Sequence, residues 1–163
     1  MSALSWIVAI GGWFVALLQF FFSYRERKVQ HAEDYLERTL KYLISGPHQR
    51  AVGLSLIESV WLPKKERLDV IVPVLVSQFN HIMLEADESA LAQEERNVVR
   101  LMLLLRRCLP FSRDQRHETA ELQECILRKA NHHGGVPITI QTLRLWYEGV
   151  GGDPTYFDAE SGA

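Results

Sequence analysis

The residues best suited to chemistry in this chain lie near its carboxyl end, in the run Arg128-Lys-Ala-Asn-His132-His133. An arginine can stabilise negative charge on a phosphate, and a histidine can transfer a proton near neutral pH. The same residue types also suit the last turn of a helix, because its carbonyl end carries partial negative charge. The run therefore has two interpretations, a catalytic pair and an ordinary helix end.

The catalytic interpretation has a parallel in a known family. Arg128, followed by His133 after four intervening residues, resembles the short signature of HEPN ribonucleases. In that family an arginine and a histidine from two protomers act on the RNA phosphate. The resemblance implies a ribonuclease as the less favoured alternative to a protein without chemistry of its own.

A second histidine-containing segment is similar to the zinc motif H-E-x-x-H. In His117-Glu118-Thr-Ala-Glu121, however, a glutamate stands where the motif needs its second histidine, so we expect a solvated helix face. The histidines at 117, 132 and 133 could gather a metal, but their spacing does not require one. No glycine loop suited to phosphate binding follows a strand pattern. The sequence therefore predicts no catalytic residue, no metal site, no cofactor and no enzymatic activity.

The strongest positional signal is an apolar segment at the amino terminus. Residues 1–24 contain no charged side chain, and Arg25, Arg27 and Lys28 follow at once. Leu4 to Phe22 spans 19 residues, which is enough at about 1.5 Å per residue to cross a hydrocarbon core of about 30 Å. The bulky residues at 20–22 and the late positive charges favour an uncleaved anchor over a signal peptide. By the positive-inside rule, the three basic residues place the N-terminus outside and the carboxyl side in the cytoplasm.

One stripe of this predicted membrane helix carries small or polar residues at successive spacings of 4, 3, 4, 3 and 4. Small side chains let helices approach closely in lipid, and a glutamine amide seeks a hydrogen-bond partner there. The stripe predicts self-association through the membrane helix, with a monomeric anchor as the alternative. Its members are Ser5, Ala9, Gly12, Ala16, Gln19 and Ser23.

Beyond the membrane segment, the first helix is expected to continue to about Ile44. At helical pitch, the apolar residues Val29, Ala32, Leu36 and Leu43 project away from the small stripe, and we expect them to pack against the cytoplasmic domain. A polar face continues the line of the small stripe and is expected to stay free. Its residues are Arg27, Gln30, Asp34, Glu37 and Lys41.

Every later segment has helical periodicity, and prolines and glycines separate the segments. The predicted core is the meeting point of Ile57, Phe79 and Leu103, with Val99 also buried. Pro73 is expected to kink or split its helix, and Ser112 with Gln115 resembles a capping box. The predicted helices cover about 48–62, 64–85, 87 or 89 to 108, 113–132 and 140–148.

The composition restricts the partners of the protein. The chain has 163 residues and a formal net charge of −2, which argues against a dedicated nucleic-acid binder. Cys108 and Cys125, in a domain predicted to lie in the cytoplasm, are expected to be reduced and buried. The expected partners are the membrane, further copies of the chain and a cytoplasmic protein.

The fold class expected is all-α, with a single N-terminal transmembrane helix that continues into a small cytoplasmic helical bundle. The stretch from Arg50 to Phe79 resembles a HEAT or armadillo hairpin, but two repeats at most are present, which favours a compact bundle. The predicted domains are an anchor at 1–24, a helical domain at 25–148 and a flexible acidic tail at 149–163.

The function expected is that of a membrane-anchored, non-enzymatic interaction or assembly module. The alternative is a small oligomeric membrane effector or pore. In size and order only, that layout resembles the small membrane proteins that accompany some RNA-targeting CRISPR nucleases.

Overall fold

The computed structural model describes the backbone of residues 3–132 and 134–157, and the side chains from residue 19 onward within those ranges, except that of Lys28. Within these ranges every regular element is helical and no strand occurs, which confirms the all-α class. The α-helices are α1 (Ala3–Leu43), α2 (Pro47–Leu56), α3 (Leu62–Lys64), α4 (Leu68–Glu85), α5 (Leu91–Cys108), α6 (Gln115–Ala130) and α7 (Ile140–Gly149).

The chain divides into two compact units, Met1–Arg38 and Thr39–Ala163. The described part of the first unit is helical throughout, and helix α1 runs without interruption for 41 residues to Leu43, as the sequence predicts. Leu36 and Leu43 are buried, whereas Val29 is 47% exposed. The five residues of the predicted polar face of α1 are all exposed.

The second unit has its core around helix α4, which packs against both α5 and α6. The apolar positions of α4 recur every three or four residues, so one broad face of the helix is available for burial. Phe79 and Ile57 are fully buried, as predicted, and the Phe79 ring packs 5.8 Å from that of Trp146 on α7. Other fully buried residues of this core are Ile71, Val72, Leu75, Ile82, Leu101, Leu105, Leu122 and Ile126.

The predicted face of helix α5 is wrong in part. Val99 and Leu103 are 42% and 58% exposed, and Leu101 and Leu104 are buried instead. Residues 101–105 are all apolar, so hydrophobic periodicity does not define a face there. The orientation of α5 is fixed by polar contacts described below.

The second predicted helix also differs from the structure. After α2 the chain forms a five-residue π-helical turn, Ile57–Trp61, and α3 adds one more α-helical turn. Pro63 therefore lies inside the last turn and does not end the helix; the chain leaves it at Lys65, whose φ is 55°. Pro73 likewise lies inside α4, which is continuous and not split.

The predicted helix ends are confirmed at some boundaries and wrong at others. The Asp87 carboxylate accepts a hydrogen bond from Ser89 N at 2.9 Å, but it caps a short 3-10 turn, Glu88–Ala90, and α5 itself begins at Leu91 without a side-chain cap. Helix α6 begins later than predicted, because its cap is Asp114, which accepts from His117 N at 3.4 Å. Ser112 instead accepts from Asp114 N at 3.3 Å in the preceding turn.

Part of the predicted tail packs within the second unit, against helix α7. Phe157 is 4% exposed, and its ring lies 5.7 Å from that of Tyr147. Residues 158–163 lie outside the described part of the chain. The predicted domain limits at 24 and 148 stay predictions.

Among the described residues, helix α4 is long and apolar enough to cross a membrane by length and composition. Half of that segment is buried inside the structure, as in the core helix of a folded domain. The span predicted at residues 1–24 lies mostly outside the described side chains, so the N-terminal membrane helix stays a prediction.

Candidate functional site

The predicted self-association stripe lies on the helical backbone of α1. The side chains of Ser5, Ala9, Gly12 and Ala16 are outside the described residues, and those of Gln19 and Ser23 are exposed. The predicted topology determinants Arg25 and Arg27 are also exposed, and the Lys28 side chain is outside the described residues. The structure therefore places part of the stripe and of the basic group on an accessible helix surface.

Aromatic residues next to this basic group are exposed. Phe20, Phe21 and Phe22 are 67%, 65% and 63% exposed, and Tyr24 is 51% exposed. The Phe20 and Tyr24 rings stack with centroids 6.3 Å apart. Contiguous exposed apolar surface of this kind is typical of a membrane or protein contact.

The second unit contains an open polar cleft of about 500 Å³. Helix α4 contributes Ser77, Gln78, His81 and Glu85 to its lining, and helix α6 contributes Arg128. We call it the α4–α6 cleft. At its edge, Asn80 Nδ2 donates to Glu121 Oε1 at 3.3 Å and so links the two helices.

The cleft contains one of the two residues that resemble the ribonuclease signature. Arg128 is exposed there and makes no hydrogen bond or ion pair with another described residue. His133 lies outside the described residues, so the pair itself is not tested. The neighbouring His132 lies with Nε2 3.2 Å from Leu84 O, at the end of α4.

The structure brings Arg128 to a different histidine, His81, which the sequence analysis did not single out. His81 Nδ1 lies 3.1 Å from Glu85 Oε2, one helical turn further along α4. Ser77, His81 and Glu85 follow one another at intervals of four residues, so they share one face of the helix. This polar stripe is a signal that the sequence contains, although it does not indicate that α6 packs beside it.

Arg50 also lines the cleft, although it is only 4% exposed, and it forms a buried ion pair with Glu94 of α5. Its Nε donates to Leu43 O at 3.0 Å, and its Nη2 donates to Ser45 O at 3.2 Å. These bonds satisfy carbonyls at the end of α1 that have no partner within the helix. Burial lowers the pKa of Arg50.

The same network reaches α4 and fixes α5. Arg50 Nε also lies 3.2 Å from Gln78 Oε1, while Asn97 Nδ2 donates to Glu94 Oε2 at 2.8 Å and to Pro47 O at 2.9 Å. Glu94 and Asn97 must therefore face inward, which turns Leu103 outward. Sequence periodicity gives no information about these contacts, because they join residues far apart in the chain.

A second arginine, Arg100 of α5, forms an ion pair with Glu58 in the π-helical turn. Arg100 Nε and Nη2 donate to the two carboxylate oxygens of Glu58 at 3.1 and 2.5 Å, and Nη2 donates to Ser55 Oγ at 2.9 Å. The hydrogen bond to Glu58 raises the pKa of Arg100. Since both side chains are about one-third exposed, this pair is a surface staple between α2 and α5.

The predicted zinc-like segment is solvated only in part. His117 is exposed, but Glu118 is 4% exposed, because it lies on the side of α6 that also carries the buried Leu122 and Cys125. Within the part of the chain that the structure describes, no three His, Cys, Asp or Glu side chains are close enough to hold a metal ion.

The two cysteines are free and buried, as predicted. Burial raises the pKa of Cys108 to about 11 and that of Cys125 to about 12. Only a small fraction of either thiol is ionised at neutral pH, so neither has the character of a nucleophile.

No protein-family model, no curated protein and no solved structure matches this chain.

Proposed function

We propose that this protein is a membrane-anchored, non-enzymatic helical module that assembles through its N-terminal helix. The observation that carries the proposal is the exposure of Phe20, Phe21 and Phe22, at 63–67%, on an uninterrupted helix. In water such a surface would favour aggregation, whereas lipid or another helix would cover it. The uncharged sequence that precedes these residues is long enough to span a bilayer.

The orientation follows from the charges that flank the apolar segment. Arg25, Arg27 and Lys28 come directly after it, and residues 1–24 carry no charged side chain. Basic residues close to a span are retained on the cytoplasmic side. The helical domain then lies in the cytoplasm, where a protein partner would meet it.

Assembly through the helix is supported by the stripe that contains Gly12 and Ala16. Gln19 and Ser23, which continue that stripe toward the basic residues, are exposed. In lipid, close backbone approach and interhelical hydrogen bonds drive helix association. A glycine at the centre of the stripe permits that approach.

The test compares two neighbouring glycines. Gly12→Ile places a large side chain in the stripe and should dissociate the oligomer, whereas Gly11→Ile, about 100° around the helix, should leave it intact. Crosslinking in native membranes measures both variants. The two changes raise hydrophobicity equally, so a difference reports on the stripe and not on insertion. An unchanged oligomer in Gly12→Ile would contradict assembly through this face.

The orientation has its own test. A reporter that is active only in the cytoplasm should function when it is fused after Ala163. Neutralising Arg25, Arg27 and Lys28 while adding three basic residues before Leu4 should weaken or invert the orientation. A domain that external protease degrades in intact cells would contradict the proposal.

A pore is the second candidate, and the exposed polar face of α1 favours it. In a ring of copies this face, Arg27, Gln30, Asp34, Glu37 and Lys41, would line a charged vestibule above the membrane helices. The mass of the detergent-solubilised protein separates the candidates. A ring of several copies supports the pore, and a monomer or dimer removes it.

A further inference from the structure

We propose that the α4–α6 cleft binds an oxyanion, a carboxylate or phosphate group on a small organic body, through Arg128. The inference goes beyond the proposed function, because the cleft lies within the second unit and uses no residue of the self-association stripe.

Arg128 is the main recognition group. It lines the cleft without a hydrogen bond or ion pair to any other described residue. A guanidinium presents several N–H donors in a planar fork that fits two oxygens of a carboxylate or phosphate at once. An exposed arginine alone would be an ordinary surface residue. The donors that lie beside Arg128 in the cleft distinguish it from one.

Gln78 and Ser77 supply further donors on the opposite wall. The Gln78 side-chain oxygen accepts from the buried Arg50, which orients the amide and leaves its Nε2 as the group that can donate to a ligand. The Ser77 hydroxyl is exposed in the cleft. Donors from two helices therefore converge on one cavity.

The charge balance also favours an anion. The described lining of the cleft contains one carboxylate, Glu85, which lies beside His81, while Glu94 and Glu121 outside the lining accept from Arg50 and Asn80. Arg128 has no such partner among the described residues. A negatively charged ligand would supply the counter-charge of Arg128 without breaking any of these existing contacts.

The dimensions indicate more than a bare ion. The volume of about 500 Å³ falls within the range of small-molecule sites. Ile44, which is 63% exposed, and Leu84 provide apolar wall next to the polar groups. The ligand expected is an oxyanion with a small apolar or aromatic body.

The experiment uses the full chain in detergent and four probes: inorganic phosphate, phenyl phosphate, acetate and benzoate. Ligand-observed NMR titrations at constant ionic strength should show saturable binding, tighter for the two aromatic probes. Arg128→Gln should weaken binding by about tenfold, since it removes a charge-assisted pair of hydrogen bonds. Ser77→Ala should weaken it by about two- to threefold.

The matched control is Arg116→Gln, which makes the same charge change at an exposed position of α6 outside the cleft. Its affinity should equal that of the parent, and Arg128→Lys should fall between the parent and Arg128→Gln. The ratio of phenyl phosphate to benzoate affinity identifies the preferred oxyanion.

Absence of saturable binding, or equal affinity in Arg128→Gln and the parent, would overturn the proposal. Circular dichroism of the same samples tests whether each variant is folded. Crosslinking through the membrane helix should be unchanged in Arg128→Gln, so failure of this inference and failure of the assembly proposal give different results.

Discussion

Phe79 in the second unit has surroundings opposite to those of Phe20, Phe21 and Phe22 in the first unit. Phe20, Phe21 and Phe22 of the first unit are 63–67% exposed, whereas Phe79 of the second unit is fully buried among residues of its own chain. In the second unit the phenylalanine ring is removed from water by packing within the chain. In the first unit only contact with another molecule would remove the rings from water. Composition alone would not separate the two cases, because both segments are apolar.

The comparison extends to polar residues. Arg25 and Arg27 are exposed, while Arg50 is 4% exposed and has its partners within the chain. Arg50 and Phe79 of the second unit thus have their partners within the chain. The aromatic residues at 20–22 and the basic residues Arg25 and Arg27 of the first unit are exposed instead, as the proposed contact with lipid and other helices would require.

The largest effect expected is from Arg50→Met. This change keeps an apolar stem but leaves Glu94 buried without its counter-charge, which should lower the free energy of unfolding by about 3–5 kcal/mol. Urea unfolding of the full chain in detergent, followed by near-UV circular dichroism, measures it. Equal stability of Arg50→Met and the parent would show that the second unit does not depend on this internal pair.

Two controls sharpen that result. Arg50→Met combined with Glu94→Gln should recover part of the loss, because no uncompensated charge remains. Arg100→Met should cost only about 1 kcal/mol, because its ion pair with Glu58 is partly exposed.

The next effect tests the aromatic comparison directly. Phe79→Ala should lower the free energy of unfolding by about 3–5 kcal/mol, since it leaves a cavity in the core. Phe21→Ala and Leu103→Ala change exposed residues and should alter it by less than about 0.5 kcal/mol. Similar losses in all three variants, measured by the same urea unfolding, would contradict the difference between the buried Phe79 and the two exposed residues.

A smaller effect concerns alkaline pH. The folded pKa of Cys125, about 12, lies above the usual thiol value of 9.0, so the unfolded chain loses this proton first. The contribution of the thiol to stability is present below about pH 9 and decreases as the pH rises toward 12. Between pH 9 and 11 the parent should lose up to about 2 kcal/mol more than Cys125→Ala.

The measurement is urea unfolding of both proteins in a reducing agent at several pH values. Lys129 has its pKa lowered by burial and therefore contributes a change of opposite sign. The charge of the Cys125 thiolate also raises the pKa of Lys129, so the difference between the two proteins measures the Cys125 thiol together with its effect on Lys129. Parallel stability curves would show that the Cys125 thiol is solvated in the folded state.

Much of the fold could be predicted from sequence. Gly46 and Pro47 mark a boundary that the structure confirms, since α1 ends at Leu43 and α2 begins at Pro47. Helix α7 lies within one residue of its predicted limits, because Thr139 is a good cap whose side chain accepts from Thr142 N. These features depend on local chemistry, which a short window of sequence contains.

The face of α5 and the cleft could not be predicted in the same way. The face of α5 that is buried depends on the ion pair between Arg50 and Glu94. These residues are 44 positions apart, and no local sequence pattern joins them. Among the residues of the cleft, the sequence indicates Arg128 through its spacing from His133, but it gives no comparable indication for His81 and Gln78. Their roles arise because α4 packs against α6, a contact that periodicity does not specify.

The buried Arg50 also has a consequence for the order of events during synthesis. Glu94 follows Arg50 by 44 residues, so at about 5–20 residues per second the ribosome delivers it roughly 2–9 s later. Until then the guanidinium keeps its hydration shell, and the second unit cannot close around the end of α1. The amino-terminal helix is therefore synthesised before the second unit can fold.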